Sequence, residues 1–156
     1  MEFTPIEPHQ DAAMAAIVRA ALKEHDLDKP GTAYFDASLD HLSAYYDRPG
    51  RAYYVLLDGE TVVGGVGVAE FDDLPGCCEL QKLYLAPALR GQGLGSRMIR
   101  FIEDRARELG YRQIYLETHT ALGAALRAYE RAGYRSIPRP ASVIHTTMDR
   151  FYLKEL

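Results

Sequence analysis

One stretch constrains the fold more than any other: Arg90-Gly91-Gln92-Gly93-Leu94-Gly95 joins a strand-like run, CCELQKLYLAP, to a long amphipathic run. The strand is stopped near Pro87, whose ring removes a backbone donor. Beyond the glycines, Leu94, Met98, Ile102, Ala106 and Leu109 share one helical face, and Gly110 closes the helix. The first N–H groups of such a helix lack intrahelical partners and point outward with the positive end of its dipole, which suits phosphate oxygens. Arg90 adds a full charge beside them. A bare tight turn would use the same glycines, so the flanking sequence has to decide. Gly95 is followed by Ser96-Arg97 rather than Lys and a hydroxyl residue, so this is not a P-loop. The glycine spacing also misses the dinucleotide fingerprint.

The order of elements around this turn implies a mixed α/β sheet with helices packed on its faces. After an extended start near Phe3 to Ile6, Met14, Ile17, Val18, Ala21 and Leu22 recur at helical spacing, with Asp11 at the favourable N-terminal end. A second helical pattern in Leu39, Leu42 and Tyr45 or Tyr46 ends at Pro49-Gly50. RAYYVLL and TVVGGVGVAEF read as a hairpin around Asp58-Gly59. QIYLET follows the long helix as a short strand, and Leu122, Ala125, Leu126 and Tyr129 mark a further helix that runs to Gly133. The tail returns to strand at Tyr134 to Ile137 and again at roughly Thr146 to Leu153, on either side of Pro138 and Pro140.

Composition narrows the function classes. A chain of 156 residues with 47% hydrophobic residues can bury a core without metal or disulfide support. A formal charge of −4 lacks the basic footprint of a nucleic-acid binder. No apolar run reaches membrane-spanning length and the N-terminus MEFTPIEPHQD lacks signal character, so the expectation is a cytoplasmic protein without membrane or nucleic-acid partners. The two cysteines, Cys77 and Cys78, are adjacent, cannot tie distant segments together and do not have metal-site spacing. They read as small buried side chains of a strand.

Arg90, Gly93 and Gly95 fit the acetyl-CoA signature of the GNAT superfamily of N-acetyltransferases, which is Arg or Gln, two variable residues, Gly, one variable residue, then Gly or Ala. The chain resembles that family upstream through Leu83-Tyr84-Leu85-Ala86-Pro87 and downstream through QIYLET and the ALRAYERAGY segment that starts at Ala125. The resemblance implies a single N-acetyltransferase domain over residues 1–156. Its fold would be a mixed, mostly antiparallel central sheet flanked by about four helices, with the central strands splayed to hold acetyl-CoA. By the same resemblance, the backbone of Leu83, Tyr84 and Leu85 contacts the pantetheine arm, and the amides of Gly91, Gln92, Gly93, Leu94, Gly95 and Ser96 hold the pyrophosphate. Acetyl-CoA is then a co-substrate and no metal is required.

Acetyl transfer needs a deprotonated amine and expels a thiolate, so a base and an acid both help near neutral pH. The resemblance places Tyr129 near the sulfur as general acid and Glu79, eleven residues before Arg90 on the central strand, as general base. Read from the residues alone, Tyr129 is first an amphipathic core aromatic, and Glu79 is equally an exposed strand carboxylate or an attractor for a cationic acceptor. Relatives often carry Asn seven residues before the Tyr, where this chain has Leu122, which removes one polar contact. His119 reads as structural. Lys82, Arg97, Arg100, Arg105 and Arg107 are candidate phosphate contacts, although most of the helical set reads as a solvated face with Glu103 and Glu108.

The expected activity is therefore acetyl transfer from acetyl-CoA to a primary amine by direct attack in a ternary complex. The acceptor is a small molecule in preference to a protein. A non-catalytic acyl-CoA sensor is the alternative from another class, and a homodimer is compatible with an open sheet. Acceptor contacts fall to the N-terminal helices, the Asp72 to Gly76 loop and the Ile137 to His145 segment.

Overall fold

The computed structural model describes residues 1–156. In chain order its elements are β1 (Glu2–Pro5), α1 (Asp11–Glu24), α2 (Leu42–Tyr46), β2 (Ala52–Asp58), β3 (Thr61–Glu70), β4 (Cys77–Leu85), α3 (Leu94–Glu108), β5 (Gln113–Thr118), α4 (Gly123–Arg131), β6 (Arg135–Ser136) and β7 (Arg150–Glu155). The strands form one sheet in the order β1-β2-β3-β4-β5-β7-β6. Every neighbouring pair is antiparallel except β4 and β5. A parallel pair needs a crossover, and α3 supplies it. This is the mixed, mostly antiparallel sheet with four helices that the sequence led us to expect.

Helices cover both faces of the sheet. On one, Met98, Ile99 and Ile102 of α3 and Tyr129 of α4 pack against Val66, Val68, Leu80, Ile114 and Leu116. On the other, Met14, Val18 and Leu22 of α1 pack with Leu39 and Leu42 against Tyr53, Val55 and Ala69. Nearly all of β3 is therefore buried, which accounts for the unbroken apolar run of TVVGGVGVA. A smaller cluster joins Phe71, Cys77 and Tyr115 to Met148, Phe151 and Leu153 near the C-terminal end. Both cysteines are buried and unpaired on β4.

Three details differ from the sequence reading. In the hairpin, Asp58 pairs with Thr61 as the last rung, so the loop residues are Gly59 and Glu60, with Gly59 at φ 60°. A glycine at the first loop position is what a type II′ turn needs. The second helical pattern splits into a 3-10 turn over Leu39–His41 and the five-residue α2. Finally, β7 starts at Arg150 rather than near Thr146, because the Thr147 N–H is bonded to the Gly31 carbonyl instead of to a sheet neighbour. No helix is long and apolar enough to cross a membrane.

Candidate active site

The site starts from a break in the sheet. β4 and β5 share only three rungs, Cys77 with Gln113, Cys78 with Ile114 and Glu79 with Tyr115. Beyond Glu79, β4 continues along β3 as far as Leu85, while β5 follows β7 as far as Thr118. The strands thus part into a V, and from Leu80 to Leu85 the β5-facing side of β4 has no strand partner. Backbone groups on such an edge are open to an amide-bearing ligand.

The splayed arm of β4 also carries a bulge. Gly65 pairs with Tyr84 and Gly67 with Gln81, so β4 has one residue more than β3 across this interval. Lys82 takes up the excess at φ 49°, an unusual conformation for a side-chain-bearing residue. The Tyr53 hydroxyl donates to the Lys82 carbonyl at 2.7 Å and holds the bulge in place. Tyr53 can lie across β3 because Gly65 and Gly67 have no side chains: a Cβ at either would sit within 2.6 Å of its ring.

A cavity of about 520 Å³ opens along the V on the α3 and α4 side. Leu83, Tyr84, Leu85, Arg90, Gly91, Gly93, Gly95 and Ser96 line it, together with Tyr129. Gln92 and Leu94 do not: the Gln92 side chain donates to the Ala88 carbonyl, and Leu94 packs on the core. Gly91 and Gly93 adopt φ 75° and 77°, and Gly93 is the N-cap of α3. Gly95 has no such backbone demand, and a Cβ there would meet nothing within 4 Å. Its missing side chain leaves open space above the first turn of a helix whose N–H groups are poised for an anion.

Two cations stand differently from the sequence reading. Arg90 is bonded to Glu24 at the end of α1 at 2.6 Å and to the Leu85 carbonyl at 3.3 Å, so its charge is already partly compensated. Lys82, a candidate phosphate contact, instead donates to Asp36 at 2.8 Å with a side chain only 7% exposed. Among the other candidates, Arg105 and Arg107 pair with Glu108 and Asp104 on the surface of α3, as a solvated face would. Arg127 and Arg131, spaced four apart on α4, line the cavity and were passed over in the sequence. His119 accepts from the Ala121 N–H, a structural role.

Tyr129 is 6% exposed, edge-on to Tyr134 at 5.7 Å. Burial, with a smaller contribution from Tyr84, pushes its hydroxyl well above the ordinary tyrosine value, so it keeps its proton. Glu79 stands on the last rung of the V and is not part of the cavity lining. Burial first, and then the charge of Glu117, push its carboxyl up to about 7, against the opposing pull of His145, Gln81 and Lys82. The Tyr46 hydroxyl donates to Gln81 at 2.6 Å in the same neighbourhood.

Glu117, Asp36 and His145 complete this cluster; His145 ends the Ile137 to His145 segment that the sequence assigned to acceptor contacts, whereas Glu117 and Asp36 were not marked. Glu117 lies two residues beyond Tyr115 on β5 and lines the cavity. His145 stands 3.0 Å from Glu117 through Nδ1 and 2.7 Å from Asp36 through Nε2. Strand parity puts Glu117 on the same face as Tyr115, but the register that brings Tyr115 beside Glu79 belongs to the tertiary structure. Asp36 and His145 sit on irregular segments 109 positions apart, and nothing local joins them.

Comparison with known proteins places these features in context. The family described as "Acetyltransferase (GNAT) family" matches residues 16–134. An uncharacterized N-acetyltransferase of Escherichia coli (strain K12), YjgM, is 39% identical over 128 residues, covering 80% of this chain and 76% of its own. Among solved structures, a GNAT-family acetyltransferase from Staphylococcus aureus Mu50 superposes with a TM-score of 0.87 at 18% identity, over 99% of this chain and 98% of that one. An aminoglycoside 6'-N-acetyltransferase complexed with coenzyme A superposes with a TM-score of 0.73 at 16% identity, over 99% and 97%.

Proposed function

The chain belongs to the GNAT family of acetyltransferases, and on that premise we propose that it moves an acetyl group from acetyl-CoA to a primary amine by direct attack within a ternary complex. The observation that carries this reading is the V between β4 and β5. It joins the glycine-turn cavity and Tyr129 on one side to Glu79 at its vertex. Residues 1–156 act as one catalytic domain in this reading.

Acetyl-CoA lies along the open edge of β4, its pantetheine amides bonded to the backbone of Leu83 to Leu85. Its pyrophosphate rests on the amides from Gly91 to Ser96. The helix dipole and those N–H groups supply the attraction, since Arg90 is held by Glu24. Glu79 accepts a proton from the incoming ammonium, directly or through water. A carboxyl near 7 exchanges protons at neutral pH, where an ordinary glutamate is already ionised. The amine then attacks the thioester carbonyl, and a β4 N–H near Leu85 faces the developing oxyanion. As the tetrahedral intermediate collapses, the C–S bond breaks, the Tyr129 hydroxyl gives its proton to the departing sulfur, and the proton that the nitrogen sheds on becoming an amide returns through water to the Tyr129 oxygen. Burial keeps the Tyr129 hydroxyl protonated until the thiolate forms beside it.

A small-molecule acceptor is favoured over a protein amine, since the contact between Asp36 and His145 ties two irregular segments together near Glu79 and narrows the approach from that end. Incubation with acetyl-CoA and a panel of amines and peptides, read by mass spectrometry, tests the reading. An acetylated small amine is the expected product, and acetyl-CoA binding without any product would favour the sensor instead. With that acceptor, Tyr129→Phe should lower kcat by about 10²-fold with little change in the acetyl-CoA KM. Glu79→Gln should remove the acidic limb of the kcat/KM profile. Unchanged kcat in Tyr129→Phe across pH would remove the general-acid role.

A further inference from the structure

A line of alternating charge runs across the acceptor end of the sheet. The Tyr115 hydroxyl donates to Glu117 at 2.9 Å, and the other Glu117 oxygen faces His145 Nδ1 at 3.0 Å. His145 Nε2 faces one oxygen of Asp36 at 2.7 Å, and Lys82 donates to the other at 2.8 Å. Both ring nitrogens therefore face carboxylate oxygens. A neutral imidazole has only one N–H and would leave one carboxylate against a lone pair, so the arrangement calls for the imidazolium. The Glu117 side chain is 8% exposed and that of His145 19%, so water screens neither bond well.

Three separate chain segments meet at this histidine: the turn after Ala33–Phe35, which carries Asp36; strand β5, which carries Glu117; and the irregular stretch before β7, which carries His145 itself. Met148 of that same stretch reaches the cavity lining. Glu79 lies next to the bridge, paired through the backbone with Tyr115. The charged and titratable groups around Glu79 are Glu117 and Tyr115 from β5, His145, Lys82 and the adjacent cysteines of β4, and Tyr46 from α2.

We propose that His145 is a positioning residue: as a cation bridging Asp36 and Glu117 it closes the acceptor end of the cleft and neutralises Glu117, so that Glu79 is the carboxyl there that gains and loses the proton. With Asp36 paired to Lys82 and Glu117 to His145, Glu79 is the one carboxyl of the three without a direct ion pair, His145 and Lys82 acting on it only from further away. Loss of the imidazolium would leave two carboxylates of one strand-pair face against each other, and Glu79 would hold its proton into more alkaline solution. The inference rests on Glu79 as base only for its catalytic consequence. The charge pattern itself stands without it.

The test begins with the unaltered protein. Nitrogen-15 NMR of the His145 ring, assigned through His145→Gln, should show both nitrogens protonated at pH 7 and loss of a proton near pH 9, since the two carboxylates outweigh the burial that would otherwise lower it. A neutral ring at pH 7 overturns the proposal, whatever any variant does. Carbon-13 carboxyl NMR, with the Glu79 resonance identified by its absence in Glu79→Gln, should place the Glu79 midpoint near 7 in the parent. In His145→Gln that midpoint should rise by about one pH unit, and the acidic limb of kcat/KM should move with it. Asp36→Asn, which preserves volume, should lower the His145 midpoint, and so reads the same bridge if His145→Gln folds poorly. An unmoved Glu79 midpoint in a folded His145→Gln also overturns the proposal. If Glu79→Gln keeps the parental pH profile, it is the catalytic reading of Glu79 that fails, while ring protonation still reports on the bridge.

Discussion

Glu24 is the residue whose position runs most against a simple phosphate site. It lines the cavity and holds Arg90 at 2.6 Å, an acid beside a turn built for anions. The Arg90 charge visible in the sequence is thus partly cancelled by a helix that ends 66 positions earlier in the chain. Glu24→Gln should leave the fold intact and lower the acetyl-CoA KM by about two- to five-fold at low ionic strength, an effect that fades as salt is added. Steady-state kinetics at two salt concentrations checks this, and an unchanged KM at low salt would mean that Arg90 and Glu24 act only as a structural tie. Arg90 was legible as part of a signature but its partner was not, because an ion pair between distant segments leaves no periodic trace.

At the scale of elements, the turn into α3 separates two uses of glycine. Gly93 needs its φ of 77°, whereas Gly95 is helical and merely leaves space. Gly93→Ala should cost about 1 kcal/mol of stability and raise the acetyl-CoA KM, because the helix start must shift to relieve the strain. Gly95→Ala adds no backbone strain and should retain or slightly raise stability, consistent with a signature that accepts Ala there. Thermal melts of the two variants side by side test the distinction, and equal losses would contradict it. Glycine spacing and the following apolar stripe made this turn legible. The bulge at Lys82 was hidden, since it arises from the register of β4 against β3 and from the Tyr53 hydroxyl that holds its carbonyl.

The whole molecule carries its buried ionisable cluster as a dependence of stability on pH. His145 is raised from an ordinary 6.5 to about 9, because two carboxylate bonds outweigh burial, and Glu79 is raised from 4.5 to about 7 chiefly by burial. For both, the folded state holds the proton more tightly than the unfolded chain. Their contribution is complete below the unfolded values and is lost as pH rises through the folded ones. Asp36 works in the opposite sense: burial opposes its charge, but His145 and Lys82 hold it below 3.8, so its contribution fades in acid. Tm should therefore fall between pH 4.5 and 9, and the part of that fall above pH 6.5 should be smaller in His145→Gln. Parallel melting curves for the two proteins would contradict the assignment. What the sequence determined by itself was local: the periodicities that make helices and strands, the glycines that turn one into the other, and the Tyr129 that follows them. Those features depend on residues within a few positions of each other, where sterics and burial patterns repeat. Only the tertiary structure decided which carboxylates meet. The three rungs between β4 and β5, and the loops that bring Asp36 to His145, follow from packing between distant parts of the chain, and charge has no period by which a sequence could announce it.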